Sequence, residues 1–70
     1  MAYRCTIKFS GQEFIGESEE KTIDDWQTAI DRAYATLYEH FGRHNCFDQV
    51  AQFVIENKET GEIENFRGIV

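Results

Sequence analysis

Apolar residues recur every three or four positions through the middle of the chain, and every second position on either side of it. The middle pattern consists of Ile23, Trp26, Ile30, Ala33, Leu37 and Phe41. This spacing places one apolar stripe along a helix with 3.6 residues per turn. It predicts an α-helix from Thr22 to Gly42, in which Thr22 caps the first turn and Gly42 closes the last.

Strict alternation at the start of the chain predicts a half-buried strand from Ala2 to Phe9. The dipeptide Ser10-Gly11 that follows is a turn signal. A two-residue hairpin at this point pairs Phe9 with Gln12, and it brings a second, short strand onto the same apolar face. Residues 16–21 are expected to form a polar, acidic connection into the helix.

Two further strands are predicted after the helix, from Val50 to Asn57 and from about Glu62 to Ile69. The order of elements is then strand, strand, helix, strand, strand. Two hairpins joined through a helix make a two-layer α+β fold, with the single helix packed on a three- or four-stranded antiparallel sheet. The second and fourth strands are the expected edges. Without a linker or repeat, residues 1–70 indicate a single compact domain.

Two registers are open for the last hairpin. A two-residue turn at Thr60-Gly61 pairs Ile55 with Phe66, so that apolar residues face each other. A three-residue turn with Gly61 in the bulge position has better turn chemistry, but it places Ile55 opposite Asn65. We prefer the first register, because strand pairing usually follows the buried face.

The expected core combines the helical stripe with the apolar face of the strands. It consists of Tyr3, Cys5, Ile7, Phe9, Phe14, Ile30, Ala33, Leu37, Phe41, Phe53 and Ile55. Trp26 shares the helical phase, so the pattern favours its packing in the core. The alternative is an exposed anchor for a partner, because tryptophan is enriched at binding hot spots.

Negative charge is concentrated in one part of the chain. The net charge is −6, which disfavours direct binding to nucleic acid or to an anionic membrane. Residues 12–31 hold seven acids against one lysine: Glu13, Glu17, Glu19, Glu20, Asp24, Asp25 and Asp31. We expect these acids to lie along one end of the domain and, with Trp26, to bind a basic surface. The alternative is that they only solubilise the connection into the helix.

Metal and catalytic chemistry find little support in the sequence. His40, His44, Cys5 and Cys46 are metal-capable, but the helix is expected to end at Gly42, between the two histidines. Two cysteines in a reducing compartment should remain thiols. No nucleophile motif or phosphate-binding loop is present. We therefore expect no metal, no cofactor and no enzymatic activity.

Three classes of function remain. The favoured one is a small acidic protein-binding module, such as an inhibitor that docks on the nucleic-acid-binding surface of a partner, as in phage or mobile-element counter-defence proteins. The alternative is an oligomeric structural or accessory protein without ligand chemistry. An enzyme or small-molecule carrier is the third. Strand edges without proline are consistent with a homodimer. The lack of an apolar spanning run or signal-peptide pattern predicts a cytoplasmic protein.

Overall fold

The computed structural model describes residues 2–19, 25–46 and 48–70. Its main elements are β1 (Tyr3–Phe9), β2 (Gln12–Glu17), α1 (Asp25–Phe41), β3 (Val50–Asn57) and β4 (Ile63–Ile69). The four strands form one antiparallel sheet in the order β2-β1-β3-β4. The predicted two-layer α+β fold is thereby confirmed, and β2 and β4 are the two edges.

The first hairpin has the predicted register. Phe9 pairs with Gln12 and Ile7 with Phe14. Ser10 has a φ of 53° and Gly11 a φ of 76°, as a two-residue type I′ turn requires. The pairing continues through Gly16, which lies opposite Cys5 on β1.

The helix approaches β2 most closely at Gly16. A Cβ atom at this position would overlap the backbone of Ala29 and Ala33 on α1. Glycine lets the helix backbone lie directly on the strand, which is one of the recurrent uses of glycine inside a sheet. The position of α1 over β1 and β2 is therefore set by a missing side chain.

The core lies between α1 and the sheet and contains most of the predicted residues. Those that are buried are Cys5, Ile7, Phe9, Phe14, Ile30, Ala33, Leu37, Phe53 and Ile55. Tyr3 and Phe41 are partly buried and pack against this cluster. Ala29, Cys46 and Ala51 join it.

Both ends of the helix were predicted, and the structure describes one of them. The predicted first residue, Thr22, lies outside the described residues. At the other end the helix stops at Phe41, and Gly42 follows with a φ of 82°. The N–H of Gly42 donates to the carbonyl of Tyr38 at 2.8 Å. The helix of the described chain is too short and too polar to cross a membrane.

The last hairpin has neither of the two predicted registers. Phe53 pairs with Phe66, and Ile55 pairs with Glu64. The two aromatic rings stack with their centroids 5.0 Å apart and their planes within 2° of parallel. The apolar face thus gains a ring pair, while the predicted pairing of Ile55 with Phe66 is wrong.

A side chain explains this register. The Asn57 Oδ1 atom accepts hydrogen bonds from the backbone N–H of Glu59 at 2.9 Å and of Thr60 at 3.3 Å. Gly61, with a φ of 78°, donates its N–H to the carbonyl of Asn57 at 2.8 Å. Side-chain bonds of this kind stabilise turns. They support a loop over residues 58–61, which is longer than either predicted turn.

Candidate functional site

The predicted acidic residues do not form a single row. Glu13 lies on the outer face of the sheet, which points away from α1, and its carboxylate is 3.9 Å from the Lys8 ammonium. Glu17 is on the same face but at the far end of β2. Asp31 lies on the helix and accepts a hydrogen bond from Gln27 at 2.9 Å. The sheet and the helix therefore divide the expected surface.

Of the remaining predicted acids, Glu19 and Asp25 are described, and they lie near the start of the helix. Glu19 is exposed, whereas Asp25, the first residue of α1, is only 9% exposed. Glu20 and Asp24 fall outside the described residues. Glu17, Glu19 and Asp25 therefore lie at one end of the molecule, and Glu13 lies at the other.

Glu17 holds several elements together. Its Oε1 atom accepts a hydrogen bond from the Arg4 Nε at 2.8 Å and lies 3.1 Å from the Lys58 Nζ. The pKa of Glu17 is lowered, mainly by the hydrogen bond from Arg4 and next by the one from Lys58. The hydrogen bond between Arg4 and Glu17 also raises the pKa of Arg4. The carbonyl of Glu17 accepts from Arg32 on α1 at 2.7 Å. The negative charge of Glu17 is therefore already compensated within the protein by Arg4 and Lys58.

The helix lies over β1 and β2. In the other half of the sheet, side chains bury the inward residues of β3, and the edge strand β4 stays uncovered. On the side that faces α1, the edge strand β4 exposes Phe66, which is 39% exposed. Tyr34 reaches from the helix toward this half: its ring is 5.6 Å from that of Phe53, and its hydroxyl donates to the Ile69 carbonyl at 3.4 Å. The rings of Tyr34, Phe53 and Phe66 therefore form an aromatic row from the helix to the edge.

Trp26 is not a core residue, contrary to the favoured prediction. Its side chain is 43% exposed, while Ala29 and Ile30 in the next turn are buried. It lies on the flank of α1 nearest β3, beyond the part of the sheet that the helix covers. The helical phase identified the apolar side of the helix correctly, but Trp26 lies at the flank of that side and is not covered. The alternative prediction of an exposed anchor fits this position.

A cleft of about 230 Å³ opens beside Trp26. We call it the acidic cleft; it is lined by Tyr3, Trp26, Ile55, Asn57, Glu62 and Glu64. Ile55 is 3% exposed and supplies an apolar base. Two carboxylates and no basic residue line the cleft, so its local charge is negative.

No neighbouring cation neutralises these carboxylates in the described part of the chain. The ion pairs recorded there involve neither Glu62 nor Glu64. Lys58 belongs to the same hairpin, but its ammonium lies against Glu17 on the outer face of the sheet. The acidic cleft therefore retains a negative potential that is available to a partner.

Sequence reasoning missed Glu62 and Glu64 because it followed charge density along the chain. The last hairpin holds four acids within nine positions: Glu56, Glu59, Glu62 and Glu64. Its basic residues, Lys58 and Arg67, reduced the net charge of the segment and hid this feature. The alternation along β4 that places Glu64 on the face of Phe66 is the signal that points to the cleft.

The metal-capable side chains take ordinary structural positions. Cys5 is fully buried, and desolvation raises the pKa of its thiol to about 11, so that the neutral form prevails. The ring of His40 packs 5.5 Å from Phe14 and 4.7 Å from Phe41. Across residues 2–19, 25–46 and 48–70, no three histidine, cysteine or acidic side chains lie where they would hold a metal ion together.

An aromatic wall beside carboxylates attracts cations, because both groups present negative potential. Comparison of the chain with known protein families, curated proteins and solved structures found no match. The function is therefore inferred from the chemistry of this surface.

Proposed function

We propose that this protein is a small acidic protein-binding module that docks on the basic surface of another protein. The supporting observation is the acidic cleft beside the uncovered edge strand β4, where exposed Trp26 and Phe66 accompany Glu62 and Glu64. Aromatic side chains supply much of the binding energy at interfaces. Carboxylates and a net charge of −6 accelerate association with a basic partner.

The proposed partner surface is one that otherwise holds nucleic acid. Both ligands would need the same cationic groups, so the protein would act as an inhibitor by occupying them. This is the mode of action of some counter-defence proteins from phages and mobile elements. The proposal places the protein in the cytoplasm and includes neither catalysis nor direct contact with nucleic acid or membrane.

The test begins with capture of the partner from the source cell on the immobilised protein. The purified partner is then titrated at increasing salt, with and without nucleic acid. We expect affinity to fall as salt rises, because screening weakens attraction between exposed charges. We also expect nucleic acid to compete.

Two sets of variants locate the binding groups. The first neutralises the acids around the start of the helix: Glu19→Gln, Glu20→Gln, Asp24→Asn and Asp25→Asn. The second is Glu62→Gln with Glu64→Gln. Glu39→Gln with Asp48→Asn is the control at the opposite end of the molecule. Weaker binding in the second set, with the control unchanged, supports the proposal. An affinity for the partner that changes neither with salt nor with any of the acidic substitutions contradicts the proposal.

The second candidate function is that of an oligomeric structural protein. The observation in its favour is the apolar character of the outer face, where Val50 pairs with Ile69 and both are more than half exposed. Ile63 on the same face of the edge strand is 58% exposed. An edge strand without proline readily pairs with a second copy. Sedimentation of the wild type and of Ile69→Lys tests this candidate, which fails if the wild type stays monomeric at high micromolar concentration.

A further inference from the structure

We propose that the acidic cleft takes one arginine side chain of the partner, with its guanidinium between the Trp26 indole and the carboxylates of Glu62 and Glu64. This inference rests on the proposed function, because it assumes a protein partner. It adds the chemical group that is recognised and the place where it is bound.

The size of the cleft fits a side chain better than a free metabolite. Its volume of about 230 Å³ lies below the roughly 300–1,000 Å³ of ordinary small-molecule sites. Ile55 offers an apolar base for the methylene stem, which long cationic side chains commonly bury while their head groups stay polar. The cleft thus matches both parts of an arginine side chain.

The chemistry of the walls favours arginine over lysine. A guanidinium is planar, so it can stack on an indole and also donate paired hydrogen bonds to a carboxylate. Trp26 supplies the aromatic surface, and Glu62 and Glu64 supply the acceptors. A lysine ammonium is a more strongly hydrated point charge and lacks the planar fork.

The backbone that carries the acceptors is held in place before binding. The carbonyl of Glu62 accepts from the N–H of Asn57 at 2.8 Å, and the N–H of Glu62 donates to the Thr60 hydroxyl at 3.2 Å. The N–H of Lys58 donates to the carbonyl of Ala2 at 2.9 Å, which ties the hairpin to the start of β1. A preformed site loses less conformational entropy when it binds.

The test uses the single tryptophan of the chain as its reporter. The probe is a tripeptide with arginine between two glycines, acetylated and amidated. Matched tripeptides carry lysine or citrulline, which resembles arginine in shape but is neutral. We expect the arginine peptide to change Trp26 fluorescence in a saturable way. The affinity of the citrulline peptide should be lower by at least a factor of about ten, which is equivalent to about 1.4 kcal/mol.

Variants separate the cleft from general charge. Glu62→Gln with Glu64→Gln should weaken the arginine peptide about tenfold. Glu39→Gln with Asp48→Asn makes the same change in net charge at the other end and should leave binding unchanged. Circular dichroism checks that each variant is folded, and amide chemical shifts should change around the cleft during the titration.

Equal binding of the arginine and citrulline peptides overturns the inference, and so does an equal loss in the control variant. If the arginine peptide does not bind while the captured partner still binds in a salt-dependent way, the inference of an arginine site is wrong and the proposed function stands. If the partner also binds independently of salt and acids, both are wrong.

Discussion

Leu37 provides the most direct single-residue test of the core. Its side chain is fully buried between α1 and the sheet. Leu37→Ala should lower the free energy of unfolding by about 2–5 kcal/mol, because it removes buried methyl groups and leaves a cavity. Urea denaturation measures this change. Leu37→Met conserves volume and should cost less than about 1.5 kcal/mol. Equal effects of the two substitutions would contradict the packing described.

Gly16 is sensitive to the smallest possible substitution. In Gly16→Ala the added methyl group would overlap the helix backbone at Ala29 and Ala33. We expect a loss of about 1–3 kcal/mol or more, because backbone yields less readily than a side chain. Ile15→Thr changes the neighbouring exposed position and should alter stability by less than about 0.5 kcal/mol. Chemical denaturation compares the two, and a neutral Gly16→Ala would show that the helix can lift from β2.

The buried thiol of Cys5 should make the stability of the folded protein fall at alkaline pH. Burial raises the pKa of its thiol from 9.0 to about 11 in the folded protein. The unfolded chain therefore loses this proton first, and the stability contributed by the neutral thiol is lost as the pH rises from about 9 to 11. The difference in stability between the wild type and Cys5→Ala should shrink over this range. A constant difference from pH 8 to 11 would contradict the prediction.

At the scale of elements, the two hairpins differ in how far sequence determines them. Ser10 and Gly11 both adopt positive φ, and a two-residue turn leaves a single register. The last hairpin depends instead on Asn57, whose side chain stabilises a longer loop. Residue patterns along β3 and β4 do not reveal that hydrogen bond, because it forms only when the chain has turned. The register was therefore predictable for the first hairpin and not for the last.

Asn57→Ala tests the role of this side chain. It removes the acceptor for the N–H groups of Glu59 and Thr60. We expect a loss of about 0.5–2 kcal/mol, by analogy with the loss of a helix-capping side chain. Asn57→Asp retains an acceptor and should lose less. Urea denaturation gives the free energies, and amide exchange in β4 shows whether the register persists. Equal stability of Asn57→Ala and the wild type would show that the backbone alone stabilises the loop.

At the scale of the whole molecule, the lateral position of the helix decides what is exposed. The apolar stripe predicted that α1 packs on the sheet, but not that it covers β1 and β2 and leaves the edge strand β4 open. Trp26 and Phe66 are exposed for this reason, although both have apolar side chains. The acidic cleft combines residues from three strands, a loop and the helix. The residues that line the cleft can be identified only when the strand order is known, and the sequence pattern does not reveal that order.

The intact protein is also expected to carry no zinc and no disulfide. Cys5 and Cys46 are both buried as free thiols, and Gly42 separates His40 on the helix from His44 in the short 3-10 turn at Arg43–Asn45. Native mass spectrometry, after purification without chelators, should give the mass of the reduced chain alone. One zinc per chain that disappears in His44→Ala would contradict this prediction.

The contact at Gly16 has a mechanical consequence for the acidic cleft. If the helix tilts, the backbone contact with Ala29 and Ala33 acts as a fulcrum. Trp26 lies five residues before the midpoint of this contact, about 7.5 Å along the axis, whereas Phe41 lies ten residues after it, about 15 Å away. A given tilt would therefore displace the far end of the helix about twice as far as Trp26. The shorter lever arm would therefore keep the aromatic wall of the cleft closer to its place than the opposite end of the helix.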